Sequence, residues 1–554
     1  MNSLELILAS TALTWGSLAV YRRLQLSRAK HPGLSGHVRM AKRVSGLLPY
    51  YALEGDAFYA CDDAPPEVVQ LRKSGFEHLA QRLAERLPKG RALSQEARQC
   101  ISDAQFTSLY RVPFQFRNWV NQHLSTVSFV EETAGVEIRD VDGHWYLDLT
   151  GAYGCNLLGH DAYKRFMVQA GERNRPLGQV LGPYDPVVLG NARRVLDIAG
   201  QDEISFHMSG TEAVMQAVRL AQYHTGKERI VRFAGAYHGW WGDVQPGVGN
   251  PVSADRTLTL QEMSARTLKV LASRKDIACV LVNPLQALHP NSNAPGDSSL
   301  LSSLRSAKYD RAAYTEWLQQ LRRVCTDKGI VLILDEVFLG FRLAKGGAQD
   351  YFGVRADLVT YGKTLGGGLP VGVLCGRAEL MRRYRPGKPA DICFARGTFN
   401  SHPAVMHSMS AFLDELDDRG DELYKGLDER WNARKDALNK RLKQAGVPVQ
   451  LENMVSVWTI LYNQPSRFNW MFQFYLLDQG LLLSWVGSGR MIFSHNWTDD
   501  DFELFSTRFI QAARAMQADG WWHTGPACDS NKKIQRRVLK ETWRALTSSI
   551  GSRS

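Results

Sequence analysis

Between residues 200 and 400, six short apolar runs ("EISFHMS", "RIVRFAG", "ACVLVNP", "IVLILDEV", "LVTYGK" and "VGVLCG") are separated by longer segments. Two of those segments, "TEAVMQAVRLAQYHTG" and "YTEWLQQLRRVCTDKG", have helical texture. Strands that alternate with helices imply a mostly parallel sheet covered on both faces, an α/β fold. Ligands of such sheets bind beyond the carboxyl ends of the strands. The residues just past each run are therefore the first candidates for chemistry.

Residues 330–334 are five consecutive aliphatics that deliver Asp335 to the end of a buried strand. A carboxylate there is costly unless paired, so it either closes a structural salt bridge or holds a cation. Lys363 follows the "LVTYG" run and precedes three glycines; a solvated surface charge and a functional amine are both open. Ser209, Gly210 and Thr211 stand between a strand and a helix, where free N–H groups and the positive helix end suit an anion. The same S-x-x-E spacing is also an ordinary helix cap. Tyr237 and His238 lie in a glycine-flanked loop, where the aromatic either stacks on a flat ligand or joins the core. Together these are a phosphate cradle, an aromatic face, a buried acid and an amine, the inventory for pyridoxal 5'-phosphate.

Texture divides the rest of the chain. Residues 1–24 are an apolar, membrane-anchor-like segment whose 18-residue run at 4–21 falls just short of the ~20 residues that span a bilayer. Arg22, Arg23, Arg28 and Lys30 follow it and nothing basic precedes it, which favours an anchor with a cytoplasmic body over a cleaved signal. A buried or interfacial helix is the third alternative. Residues 25–105 form a helical extension with apolar positions at Val68, Leu71, Phe76, Leu79, Leu83 and Leu87, broken by "PKG" at 88–90. Residues 106–180 begin a small domain in which "VEIRDVDGHWYLDLT" alternates and turns at Asp142 and Gly143. Residues 181–400 are the large domain, 285–310 within it a polar, turn-rich loop, and 401–525 complete the small domain. The tail, 526–554, places Ile534, Val538, Leu539 and Trp543 among bases, a pattern suited to an anionic membrane surface.

The net charge of +11 is concentrated near the two ends. Without zinc-finger spacing or an RNA-binding signature it argues against nucleic acid as partner. Eight scattered cysteines with no C-x-x-C pair suggest neither a metal site nor a disulfide framework, and a reducing compartment is the simpler expectation.

In their order along residues 105 to 520, "SGTEA", "YHG", "LILDEV", "GFR", "GGAQDYFGVRADLVTYGKTLGGGLPVG" and "GTFNSHP" resemble the class III aminotransferases, especially the branch that contains glutamate-1-semialdehyde aminomutase. The resemblance implies fold type I. Its large domain has a mostly parallel seven-stranded sheet flanked by helices, and a smaller α+β domain is drawn from both chain ends. It implies pyridoxal phosphate joined to Lys363, which then moves the proton, and Asp335 on the pyridine nitrogen. Val337 and Tyr237 would flank the ring. Ser209, Gly210, Thr211, His238 and Gln286 would complete the cofactor site, and Thr398 would reach the phosphate of the partner in a homodimer. Arg490 and Tyr153 would meet substrate, Arg490 by gripping a carboxylate. Asn283 stands where relatives carry an acid, and Phe338 where they carry glutamine or methionine.

The expected function is transfer of an amino group from an amine donor to a carbonyl acceptor, with a lipophilic aldehyde or ketone as the expected acceptor. Intramolecular aminomutase or racemase chemistry and a catalytically silent, membrane-tethered scaffold are the alternatives.

Overall fold

The computed structural model describes residues 3–551 apart from 246, 252, 292–306, 308 and 485–488. Its centre is a seven-stranded sheet, numbered here in chain order: β1 (Glu203–His207), β2 (Arg229–Phe233), β3 (Thr257–Leu260), β4 (Ile277–Val282), β5 (Val331–Asp335), β6 (Leu358–Gly362) and β7 (Gly372–Gly376). The strands lie in the order β1-β7-β6-β5-β4-β2-β3. Only β7 runs against the others.

The six apolar runs all become strands. The continuous hydrophobicity of β4 and β5 is explained by burial of every residue in them. Helices Gly210–Thr225, Ala265–Ser273 and Arg311–Lys328 accompany the sheet. Asp310 caps the last of these by accepting from the Ala313 N–H, and Gly329 ends it at φ 58°, which feeds the chain directly into β5.

Edge strand β3 escapes sequence reading because "TLTL" has no long apolar run. The chain's own N-terminal region covers it. The Gln261 N–H donates to the Ala29 carbonyl (2.9 Å), and Lys30 bridges to Leu260. A covered edge cannot template pairing with another chain.

Both ends of the chain build the small domain. Strands Val130–Ala134, Glu137–Asp140 and Trp145–Asp148 form an antiparallel set with the expected turn, Gly143 adopting φ 90°. Leu481–Leu482 joins that set in parallel, with Leu481 opposite Leu147. A second sheet pairs Val449–Met454, Val457–Tyr462 and Arg490–Ile492.

The extension shares this core. Helix Pro66–Arg86 ends where Pro88 starts the next helix, and its Phe76 packs against Phe58 and Trp521. The fully buried Arg467 guanidinium pairs with Asp62 of the extension (3.2 Å) and Glu541 of the C-terminal helix (2.8 Å). Three distant segments thus meet at one cation.

The expected spanning anchor at 4–21 is not supported. Among the described residues no helix is long and apolar enough to cross a membrane. The apolar run is diluted by Ser, Thr and Gly, and it belongs to a longer helix, Ser3–Ala29, that continues through Arg22, Arg23 and Arg28. Most of the loop expected at 285–310 lies outside the described residues. Its head is a buried 3-10 turn, Pro284–Leu288.

Glu262, just past β3, is buried, with the Tyr314 hydroxyl donating to one carboxyl oxygen (2.7 Å). Burial pushes its carboxyl up to about 8. The stability gained by burying it neutral is complete below its ordinary range and is lost as pH rises through about 8. Glu262→Gln should therefore flatten the pH dependence between about 5 and 9, with thermal melts diverging from the parent by a few kcal/mol at the alkaline end.

Candidate active site

Asp335 ends β5 almost wholly buried, and donors hold both of its oxygens. His238 Nδ1 donates to Oδ2 at 2.7 Å, while the Thr360 hydroxyl and the Val337 N–H each donate to Oδ1 at 3.2 Å. A carboxylate only accepts, so Nδ1 carries the histidine proton. The loop after β2, the end of β5 and strand β6 are tied to one anion. Asn283, after β4, fixes the same loop by donating to the Tyr237 carbonyl (3.0 Å), a bond that a carboxylate at this position could not donate.

Lys363 follows β6 with φ 49°. The register sets Asp335 opposite Thr360. Lys363 is three residues further along, at the start of the 3-10 turn Lys363–Gly366. Between them lies Val337. A Cβ on Gly210 would come within 2.6 Å of its Cγ1, so the helix start, the β5 end and the β6 end approach as closely as glycine permits.

The start of helix Gly210–Thr225 resolves the two readings of Ser209. Its hydroxyl accepts from the Glu212 N–H (3.3 Å), so the side chain is an ordinary cap. The N–H groups of Gly210 and Thr211 are left at the positive helix end. Thr211 is pressed to the loop, where a Cβ on Gly239 would be 2.5 Å from its hydroxyl.

The small domain supplies the opposite wall. Ala152 and Tyr153 both have left-handed φ (47° and 57°) in the 3-10 turn Gly151–Gly154, and Tyr153 is half exposed. The buried Arg342 guanidinium holds this turn to β5's continuation, donating to Asn156 O (3.1 Å), Phe493 O (2.7 Å) and the Ser456 hydroxyl (2.9 Å). Tyr163 joins it to the residue after Lys363 by a hydrogen bond with Thr364. Phe338 lies between: its ring centroid is 5.9 Å from Lys363 Nζ, and a Cβ on Gly154 would be 2.9 Å from its Cε2.

Arg490 begins the strand whose Ile492 packs on Gly151. Its Nη2 donates to His289 Nε2 (3.1 Å), and burial pulls its guanidinium down to about 10. Gln286 is buried beside His289, in the turn after β4. Thr398 stands on an exposed stretch between Phe394 and Phe399. Sequence reasoning missed Thr360, Tyr163 and His289. The Thr–Tyr–Gly before the lysine is the sole hint of the first, and no local pattern marks the other two.

Residues 119–512 match the family model for aminotransferase class III. The chain belongs to the class III aminotransferases. Its similarity to named proteins runs through most of their length. Glutamate-1-semialdehyde 2,1-aminomutase of Methanocaldococcus jannaschii is 32% identical over 361 residues, 62% of this chain and 78% of the relative. That of Alkaliphilus oremlandii is 30% identical over 414 residues, 70% and 92%. Among solved structures, a transaminase with PLP bound superposes with TM-score 0.64 at 25% identity, covering 78% of this chain and 99% of that one. A glutamate-1-semialdehyde-aminomutase from Pseudomonas aeruginosa PAO1 gives TM-score 0.65 at 17% identity, covering 81% and 99%, a likeness of fold. As a class III aminotransferase of fold type I, the chain has the expected large sheet and small α+β domain. Residues 1–118 and 513–554 lie outside the family match.

Gly154→Ala adds a methyl against Phe338 at φ 96°. It should cost about 1–3 kcal/mol, read from the urea denaturation midpoint.

Proposed function

We propose that the chain uses pyridoxal phosphate to move an amino group from an amine donor to a carbonyl acceptor, a lipophilic aldehyde or ketone. One observation carries this reading: a buried, donor-fixed carboxylate ends one strand and the lysine directly follows the adjacent parallel strand, three residues past the position paired with the carboxylate. The site fits that cofactor. Free N–H groups at a helix start suit its phosphate, glycines let backbone pass close to it, and the buried His238 Nε2 and Gln286 Oε1 have no protein partner among the described residues.

When bound, pyridoxal phosphate supplies an electron sink for the charge left at a substrate carbon that loses its proton. The side chains do the rest. Asp335, oriented by its three donors, would accept from a ring N–H. Gly210 and Thr211 hold the phosphate. Val337 and Tyr237 cover the two faces, and His238 and Gln286 complete the polar frame. The Lys363 amine would take the proton from the substrate carbon as general base and give it back as general acid. Arg490, directed by His289, and Tyr153 receive the substrate, the arginine through a carboxylate on the reacting carbon. A homodimer places Thr398 at the partner's phosphate and covers Tyr184, Phe394 and Phe399, which are exposed in one chain.

Borohydride reduction with bound cofactor should label Lys363 and no other residue, and Lys363→Ala should abolish both the label and amine transfer. Peptide mapping that finds the label elsewhere removes the assignment. The similarity to aminomutases favours intramolecular transfer as the second reading. Turnover without an added amine donor distinguishes it.

Membrane association remains our proposal for the chain ends, as a surface contact. The helix Asn531–Gly551 exposes Leu539 and Trp543 (67% and 68%) beside Lys540 and Arg544, while Glu541, its one acid, turns inward to Arg467. Such a face suits anionic lipid. The full chain should sediment with phosphatidylglycerol-containing vesicles at low salt, and Trp543→Glu should weaken this about tenfold. Equal recovery with neutral vesicles would discount it.

A further inference from the structure

We propose that Phe338 is a specificity-determining residue, selecting substrates whose reacting carbon carries an apolar substituent and rejecting a second carboxylate. The inference rests on the transfer reaction proposed above and assigns its substrate preference to one side chain.

Geometry leaves the ring no room to withdraw. On one side stands the Lys363 amine, 5.9 Å from the ring centroid. On the other is Gly154, where even a methyl group would sit 2.9 Å from Cε2. The turn that carries Gly154 is itself fixed. Arg342 holds Asn156, the Ile492 N–H donates to the Leu149 carbonyl (2.9 Å), and Ala152 and Tyr153 keep left-handed backbones. Phe338 is only half-buried, so part of its surface remains open.

The side chains that flank Phe338 in sequence are apolar. Val337 packs against Gly210 and Gly362, and Leu339 is buried. A substituent that extends from the lysine toward Gly154 therefore passes an aromatic surface. An alkyl group gains there about 25 cal/mol for each Å² removed from water. A carboxylate set against the ring loses hydration with no donor from Phe338, a penalty that must be met elsewhere. Hydrophobic contacts of this kind discriminate by roughly 10–200-fold.

The test compares, in holoenzyme, kcat/KM for a medium-chain aldehyde and for the ω-carboxy aldehyde of equal length. The parent should prefer the first. Phe338→Gln should reduce that preference about tenfold or more, and Phe338→Met should keep it within about threefold. A merely structural role would lower both values together and leave the ratio in place, which overturns the proposal. A second arm needs no turnover: calorimetric Kd values for the matching alcohol and hydroxy acid should show the same preference and its loss in Phe338→Gln. An unchanged Kd ratio in a folded Phe338→Gln variant counts against Phe338 alone. Absence of transfer to any aldehyde counts against the reaction itself.

Discussion

A single buried carboxylate organises the site. Asp335 sits at the end of a strand with no exposed residue, where an unpaired charge would be ruinous for stability. Its three donors come from three different places: the loop after β2, the adjacent strand β6 and its own chain two residues on. Satisfying that one anion fixes the carboxyl ends of the central strands relative to each other. The ring of His238, the backbone of Val337 and, through Thr360, the approach to Lys363 are consequences of the same requirement.

Arg342 plays the matching part between domains. Among the described residues it has no acid partner, and its two terminal nitrogens donate to carbonyls and a hydroxyl of the small domain. Burial pulls it down to about 10, which leaves it charged at neutral pH. The strained turn at Ala152 and Tyr153 persists because these bonds and the Tyr163–Thr364 contact over-determine it. At the far side of the molecule Arg467 does the same for the extension and the C-terminal helix. Planar, multi-donor cations suit such junctions, because one side chain satisfies groups from several segments.

The two departures from the family pattern acquire different meanings in three dimensions. Asn283 preserves architecture, since its amide donates to the Tyr237 carbonyl and its oxygen accepts from the Leu285 N–H. Phe338 places an aromatic ring 5.9 Å from the lysine amine, with Gly154 close on its other side. Ser209 is a local case: its hydroxyl caps the helix that the sequence pattern announced.

Much of the fold was legible because its determinants are local. A run of five aliphatics makes a buried strand, Asp310 and Gly329 bracket a helix, and Asp142 with Gly143 makes a turn, each within a few residues. The order of motifs likewise placed Asp335 and Lys363 at strand ends. The tertiary structure alone decided that "TLTL" is an edge strand closed by Ala29 and Lys30, that the extension joins the core, and that Arg490 meets His289 across 201 residues. Such pairings depend on loop closures between segments far apart in the chain, and no short stretch of sequence encodes which distant surface it will meet.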